Sequence, residues 1–446
     1  MIGEKKLREI GLKALELAGK ADLKVTILST VSNLTRFARG EIHQNVSENN
    51  TELTLSYIQD QKMGISSTND TSKLGVEKAL SNARTIAQLM PVNPYLPDLP
   101  EPQIYHTVNS VSESTIKASP EDRAVIVGRA VQKAKARRVE AYGALTTEVL
   151  ELCIMNTKGL KAYFPFTRSE FRIICLQEGG SGYGETVNAG LDKLDIIKIS
   201  DEAITTCLNT LNPQSIEAGE YDVVIKPYAT SDILQMLSYL SFNGKAAEEG
   251  RSYIKMKMGQ QVASPLVTIY DDNQNHLGMP IPFDFEGLAK KKIPLIERGI
   301  AKGLVYDSFT AKKAGVEPTG HNLPATFAYY GALPSNLFMD AGEFSLEEMI
   351  KSVEKGVFVT RFHYTNPIDP VKAVITGMTR DGTFLIENGR TVKPIKNLRF
   401  TQSYFEALEK VEMVGKERSL IPLGFGASLV PALKIKGFKF TGVTEF

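Results

Sequence analysis

The sequence is poor in cysteine and has no long apolar segment, and each shortage excludes a class of protein. Its 446 residues include three cysteines, Cys153, Cys175 and Cys207, without Cys-x-x-Cys spacing. This excludes a disulfide framework and a thiolate zinc site. No window has about 18 consecutive apolar residues, so we expect no membrane span. Residues 1–20 place apolar side chains at helical spacing among charges, which predicts a structural helix rather than a signal peptide and favours a cytoplasmic protein.

The charge is balanced. Fifty-two Lys and Arg oppose 51 Asp and Glu, for a net charge of +1. A protein without a basic surplus offers no global field to nucleic acid or to an anionic membrane. We therefore expect neither as a partner.

Two common types of catalytic motif are also absent. Successive histidines are more than 40 residues apart, whereas a zinc-protease helix places its ligands roughly three to five positions apart. A site assembled from distant histidines, such as His276, His321 and His363, remains geometrically possible. Gly-x-Ser-x-Gly does not occur, and Ser-x-x-Lys occurs only without its usual companion motifs.

The length predicts two or three domains, and the element pattern predicts an α+β fold. Residues 1–90 read as an α+β unit, with a hairpin turn at Arg39-Gly40 and a helix near residues 73–90. Five prolines then mark residues 91–104 as a linker. Residues 105–217 predict a second α+β unit packed with the first, and residues 218–446 a C-terminal domain. The Gly-rich run at 179–184 lacks the Lys-Ser/Thr ending of a phosphate loop, so we interpret it as a turn or loop.

The stretch 356–390 carries the most titratable groups at a predicted strand end. Residues 357–362 alternate in character, which predicts a strand that delivers a polar loop containing His363, Tyr364 and Asp369. Asp381-Gly382 and Asn388-Gly389 predict hairpin turns. An imidazole near a carboxylate could act as a base or recognise a ligand, and a hydrogen-bond network that only stabilises the loop is the alternative.

Several blocks resemble the TldD/PmbA family, also called the modulator-of-gyrase or microcin-processing metalloprotease family. The blocks are AGEYDVV at 218–224, FDFEG at 283–287, GVEPTG at 315–320, GVFVTR at 356–361 and ENG at 387–389. The resemblance covers nearly the whole chain. It implies an N-terminal α+β region with an antiparallel sheet and helices, a C-terminal β-rich domain around a strongly curved sheet, and a two-fold dimer that encloses a peptide cavity.

In the TldD-type subunit of that family, a His-Glu-x-x-x-His helix and a cysteine near the end of the chain bind zinc. The corresponding helix here, residues 232–242, has neither histidine nor glutamate, and residues 415–433 have no cysteine. The resemblance therefore implies a PmbA (TldE) type of chain, without metal, cofactor or catalytic residues of its own, which pairs with a metal-bearing TldD-type subunit in a cytosolic peptidase.

Arg361, His363, Tyr364 and Asp369 are then candidates for peptide binding. Two alternatives stay open: a self-sufficient homodimeric peptidase with an atypical site around His363 and Asp369, and a non-enzymatic peptide-binding or regulatory protein.

Overall fold

The first half of the chain builds one six-stranded antiparallel sheet. The computed structural model describes residues 1–444, so positions 445 and 446 of the predicted C-terminal domain lie outside the described residues. The strand order is β3-β2-β1-β4-β5-β6. The strands are β1 Asp22–Ala38, β2 Glu41–Gln59, β3 Lys62–Thr68, β4 Glu140–Asn156, β5 Lys161–Gln177 and β6 Gly180–Asn188. The helices are α1 Glu4–Glu16, α2 Lys73–Leu89, α3 Glu113–Ile116, α4 Pro120–Ala136 and α5 Ile196–Asn209, with a 3-10 helix at Leu191–Lys193.

Long hairpins connect these strands. The predicted turn at Arg39-Gly40 is confirmed, and both residues have positive φ, as tight hairpin turns require. β1 is one continuous strand of 17 residues that ends at Ala38. Polar side chains such as Ser32 and Asn33 stay in the strand because β2 and β4 pair with it on both sides.

All the large helices of this region pack on one face of the sheet. Leu7 of α1 and Leu80 of α2 pack with Val25 of β1, and Ala130 of α4 and Ala203 of α5 pack in a second cluster on the same side. The opposite face meets the second half of the chain, where Phe283 packs into a third cluster with strands β4 and β5.

The second half contains an eleven-stranded mixed sheet. Its strands are β7 Gly219–Ile225, β8 Ile269–Asp271, β9 Ile293–Glu297, β10 Ile300–Ala301, β11 Asn336–Met339, β12 Lys355–Asp369, β13 Val374–Glu387, β14 Arg390–Pro394, β15 Leu398–Ser403, β16 Val411–Pro422 and β17 Ala427–Val443. Its helices are α6 Pro227–Leu240, α7 Gly244–Glu248, α8 Tyr253–Met256, α9 Ser308–Ala314, α10 Leu346–Lys351 and α11 Tyr404–Glu409, with a 3-10 helix at Ala325–Tyr330.

Five of these strands close into a ring. β7 pairs with β12, β12 with β13, β13 with β15, β15 with β17, and β17 returns to β7. A sheet that closes on itself must curve strongly. The α+β class and the curved C-terminal sheet predicted from the sequence are therefore confirmed. Phe362, Phe400 and Phe438 pack against one another in the core, with centroid separations of 4.6–5.6 Å.

Two turn predictions are wrong, and glycine explains both. Gly179 lies in the turn after β5, but residues 180–184 lie in β6, where a Cβ on Gly182 would stand 1.9 Å from the Ala203 carbonyl oxygen, so the glycines permit α5 to pack closely on the strand. Asp381-Gly382 lies inside β13 at an irregularity in its pairing with β12, and both residues have positive φ. Bulges and hairpin turns use the same conformations. The turn at Asn388-Gly389 is confirmed.

The helices are amphipathic or short. Within residues 1–444, no helix is both long enough and apolar enough to cross a lipid bilayer.

Candidate functional site

Arg361 is fixed by two partners. On β12 its Nε donates a hydrogen bond of 2.7 Å to Oδ2 of Asp381, which is 2% exposed, and its Nη2 lies 2.5 Å from the same oxygen in an ion pair. The same guanidinium lies over the ring of Tyr183, 4.1 Å from the centroid, in a cation–π contact. The side chain thus links the ring of strands to β6 of the first sheet.

His363 and Tyr364 lie next to each other at an irregular point of β12. Tyr364 has a φ of 56° and is 75% exposed, while His363 is half-buried with its ring centroid 5.6 Å from that of Tyr364. Burial, together with the positive charges of Arg361 and Arg380, lowers the pKa of His363. The imidazole is therefore neutral over most of the physiological range.

Asp369 lies apart from this pair. The predicted loop after residue 362 is wrong because β12 continues to Asp369, which pairs with Val374, whereas His363 pairs with Met378. Their partners on β13 are four residues apart, which separates the two positions by roughly 14 Å along the sheet. Asp369 Oδ1 accepts the backbone N–H groups of Val371 and Lys372 and so closes the turn into β13. The structure brings Arg361, His363 and Tyr364 together and leaves Asp369 in a structural role at the turn.

The helix α6 packs on the last strand. The hydroxyls of Ser231 on α6 and Ser428 on β17 form a buried hydrogen bond of 2.8 Å. Ser231 directly precedes residues 232–242 and Ser428 lies within residues 415–433, so this bond marks where the two segments in which the family resemblance places zinc ligands come together. Zinc takes nitrogen, thiolate or carboxylate ligands, and a hydroxyl pair does not supply them. The residues present do not fit a zinc ion at this position.

The distant histidines do not form a metal site either. His321 is buried and bonds through Nε2 to Asp271 Oδ1 at 3.0 Å and through Nδ1 to Thr319. Across residues 1–444, no group of three or more His, Cys, Asp or Glu side chains lies close enough to hold a metal ion.

The next residue of α6 after Ser231 is a carboxylate that sequence reasoning missed. Asp232 accepts hydrogen bonds from the Tyr404 hydroxyl at 2.8 Å and from Thr365 at 2.9 Å. Burial raises the pKa of Asp232 to about 6, against the opposing effect of these hydrogen bonds and of Arg361. The sequence does contain a signal for this site, since Asp232 stands among the leucines of an amphipathic helix. An ionisable group on a buried helix face needs a partner elsewhere in the fold.

A groove of 390 Å³ lies beside the start of α6, between edge strands of the two sheets. β6 pairs only with β5, and within the described chain β16 pairs with β17 and, on its outer edge, forms only one bridge, between Gly415 and Phe344. Glu185 and Thr186 of β6 line one wall, and Ser419 and Leu420 line the other.

Aromatic contacts connect Arg361 to this groove. Tyr183 packs edge-on against Tyr228, 5.4 Å between centroids, and the Tyr228 hydroxyl accepts the N–H of Glu185 at 3.4 Å. Sequence reasoning missed β6 and hence Tyr183 and Glu185, since its glycines indicated a loop. Burial and the charge of Glu170 raise the pKa of Glu185 to about 7. The groove therefore combines unpaired strand edges with side chains of both charges.

Two family models match the chain. The model described as the PmbA/TldA metallopeptidase C-terminal domain matches residues 218–442, and the model for domain 1 matches residues 25–87. The first match covers the ring of strands, α6 and the β16 wall of the groove.

Two curated relatives and a solved structure each match most of the chain. The chain is 25% identical to the Metalloprotease TldD homolog of Haemophilus influenzae over 85% of its own length and 84% of that protein. It is 25% identical to the Metalloprotease PmbA homolog of the same organism, with 97% of each chain covered. The crystal structure of TldE from Thermococcus kodakarensis superposes with a TM-score of 0.88 at 21% identity, covering 98% of this chain and 99% of that one. The structural likeness establishes the shared fold.

Proposed function

Because the chain belongs to the PmbA/TldD metallopeptidase family, we propose that it is the non-metal partner subunit of a cytosolic TldD/TldE-like peptidase that acts on unfolded or extended peptides. Relatives over most of the chain are named metalloproteases, which supports a role in proteolysis. The three cysteines are free and buried, in keeping with a reducing compartment.

The groove between β6 and β16 is the observation that supports peptide binding by this chain. An extended peptide adds to an exposed strand edge through main-chain hydrogen bonds, which give affinity with little demand on sequence. The stretch of β16 from Glu417 to Leu420 pairs with β17 on one edge, has no strand on its outer edge within residues 1–444, and borders the groove directly. The alternating charges of Lys226, Glu202 and Glu417 would orient polar side chains of the peptide.

The side chains at the junction of α6 and β17 support the proposal that this subunit binds no metal. Ser231 and Ser428 satisfy each other where metal ligands are expected from the family resemblance. In this proposal the metal-bearing subunit supplies the Lewis acid and the activated water. This chain binds and orients the peptide through its strand edge, and forms a wall that limits access of water to the cavity.

Co-expression tests this proposal. The chain is co-purified with a metal-bearing TldD-type homologue from the same genome, and cleavage of an unfolded peptide is measured for each protein alone and for the pair. We expect a stable complex and faster cleavage by the pair. The absence of a complex, together with no gain in cleavage over the homologue alone, would reject the partner role.

The two alternatives make different predictions. A self-sufficient homodimeric peptidase around His363 and Asp369 requires turnover by the purified chain alone, and the strand that separates these residues argues against a joint site. A peptide-binding regulator requires binding without turnover in any combination. Binding of duplex and single-stranded DNA to the purified chain is measured at physiological salt. The balanced charge predicts that neither binds.

A further inference from the structure

A second cavity, of 360 Å³, lies on the face of the first sheet that the helices leave uncovered. Its floor consists of alternate side chains of β1, β2 and β3. Its other walls are the Pro-rich segment near residues 93–100 and the loops of the second half at Phe285–Glu286, Asp307–Phe309 and residues 322–325. The cavity is distinct from the groove, since the two share no lining residue.

Specific contacts hold these walls together. Lys24 Nζ donates to the carbonyl of Phe285 at 3.1 Å, and the Tyr105 hydroxyl donates to the carbonyl of Gly287 at 2.7 Å, so both fix the loop that carries Glu286. Lys312 Nζ donates to the carbonyl of Leu96 at 2.6 Å and ties the Pro-rich segment to α9. The cavity is therefore a preformed site, the usual condition for binding a small ligand.

The charged lining is mostly negative. Four carboxylates, Glu52, Asp98, Glu286 and Asp307, line the cavity together with a single cation, Lys24. The rest of the lining is largely apolar or carries small hydroxyls: Thr26, Leu28, Thr54, Ser56, Ile58, Met63, Ile65, Leu96, Phe309 and Leu323. An anion would meet repulsion here, and a neutral ligand would leave the carboxylates without a counter-charge.

Asp307 and Glu286 each have an oxygen available to a ligand. Asp307 is 7% exposed; its Oδ1 accepts from Thr310, and its Oδ2 receives no hydrogen bond within residues 1–444. Glu286 Oε2 accepts both the N–H and the hydroxyl of Ser308, while its Oε1 likewise has no donor in the described chain. Neither oxygen is among the fully buried polar atoms that lack a partner, so each is accessible to a donor in the cavity.

We propose that this cavity binds a small organic cation, an ammonium or guanidinium group on an apolar chain of a few carbons. The cationic group donates to the oxygens of Glu286 and Asp307, and the apolar chain lies against Leu28, Ile58 and Ile65. Charge-assisted hydrogen bonds of this kind give orientation, and burial of the carbon chain adds affinity.

Calorimetric titration of the full-length chain tests the charge requirement. The probes are hexylammonium, hexanoate and hexanol, which share a carbon chain and differ in the head group. We expect saturable binding of hexylammonium at one site per chain and at least about tenfold weaker binding of the other two. Equal binding of hexylammonium and hexanol, or no binding of hexylammonium, would overturn the proposal.

Variants locate the site. Glu286→Gln keeps an acceptor for Ser308, and Glu52→Gln changes a half-buried side chain on the opposite wall, so both variants should fold. Each should weaken hexylammonium binding, by about tenfold for Glu286→Gln. Glu48→Gln, on the same strand as Glu52 but exposed and outside the cavity, is the matched control and should bind normally. Unchanged binding by Glu286→Gln and Glu52→Gln with intact melting curves would place the cation elsewhere and refute the assignment.

The pH dependence supplies an independent readout. Burial and the charges of Asp284 and Asp307 raise the pKa of Glu286 to about 7, while Lys24 and Ser308 act in the opposite direction. Because the cation binds ionised Glu286, hexylammonium should bind about tenfold more tightly at pH 8 than at pH 6. Glu286→Gln should abolish this difference, and a pH-independent affinity in the original chain would contradict the role of Glu286.

Two sources could present such a cation: a free amine, or a lysine or arginine side chain of a peptide. A tripeptide with a central lysine and blocked termini, compared with hexylammonium, separates them. Competition between the two identifies a site that accepts peptide side chains, whereas binding of hexylammonium alone identifies a site for free amines. Both readouts measure binding rather than cleavage, so they are independent of the proposed partner role.

Discussion

Ser231 and Ser428 form a buried hydrogen bond that joins α6 to the last strand of the chain. These residues occupy the junction at which the family resemblance predicts metal ligands. The fold brings the two segments together, and the side chains supply two hydroxyls. Two hydroxyls are a donor set that does not fit zinc.

The first prediction concerns metal content. The purified chain should contain less than about 0.1 zinc ion per molecule by elemental analysis, because its donors at this junction are hydroxyls. A chelator should leave its melting temperature unchanged, whereas removing a structural metal would lower it. Stoichiometric zinc, or a fall in melting temperature with chelator, would contradict this reading of the junction.

The second prediction separates structural from recognition roles along β12. Arg361→Ala leaves Asp381 buried beside only the more distant Arg380, and should lower the free energy of unfolding by about 3 kcal/mol. Tyr364→Ala removes an exposed side chain and should change it by less than about 0.5 kcal/mol.

Denaturant unfolding measures both variants. Arg361→Lys is the control that keeps the charge without the planar guanidinium, and should fall between Arg361→Ala and the original chain. If Tyr364→Ala weakens peptide binding at unchanged stability, Tyr364 recognises peptide. Equal stability of Arg361→Ala and the original chain would show that the ion pair with Asp381 contributes little.

Local chemistry in the sequence predicted individual elements well. The helix expected near residues 73–90 forms as α2 with Ser72 as its N-cap, and Arg39-Gly40 forms the expected hairpin turn, because each of these structures depends on residues a few positions apart. The class of fold followed from the same signals.

Side-chain contacts between strands could not be predicted from local sequence patterns. Arg361 meets Asp381 because β12 and β13 pair with irregularities, and the register of a pair cannot be read from either strand alone. Asp381 also has the positive φ of a turn residue, so the Asp381-Gly382 dipeptide was predicted as a turn although it lies inside a strand. Tyr183 was missed because glycines that permit close helix packing look the same in sequence as glycines in a loop.

The third prediction is a pH effect centred on Asp232. In the folded chain burial raises the pKa of this carboxyl to about 6, above its ordinary value of 3.8. A raised pKa means that the folded state favours the protonated form. The stability that Asp232 contributes is therefore fully present below pH 4 and is lost as the pH rises to about 6.

Asp232→Asn should remove this loss. The asparagine can accept from the Tyr404 hydroxyl through Oδ1 and donate to Thr365 through Nδ2, so the packing is conserved. Unfolding at pH 8 should cost on the order of 2 kcal/mol more for the variant, and the gain should shrink toward zero near pH 4. A variant that is less stable at pH 8 would show that the ionised carboxylate is required there.

The last prediction tests the groove itself. Ser419 is exposed on β16 and lines the wall that we expect a peptide to join. Ser419→Trp should fill part of the groove and lower the affinity for an unfolded peptide by at least about tenfold, with stability changed by less than about 0.5 kcal/mol, because no packed core contact is lost. Ser47→Trp, at an exposed position of β2 far from the groove lining, is the matched control and should bind normally. Fluorescence anisotropy with a labelled peptide measures both variants against the original chain. Normal binding by Ser419→Trp would remove the β16 edge from the peptide path, since a strand cannot pair along an edge whose groove a large side chain occupies.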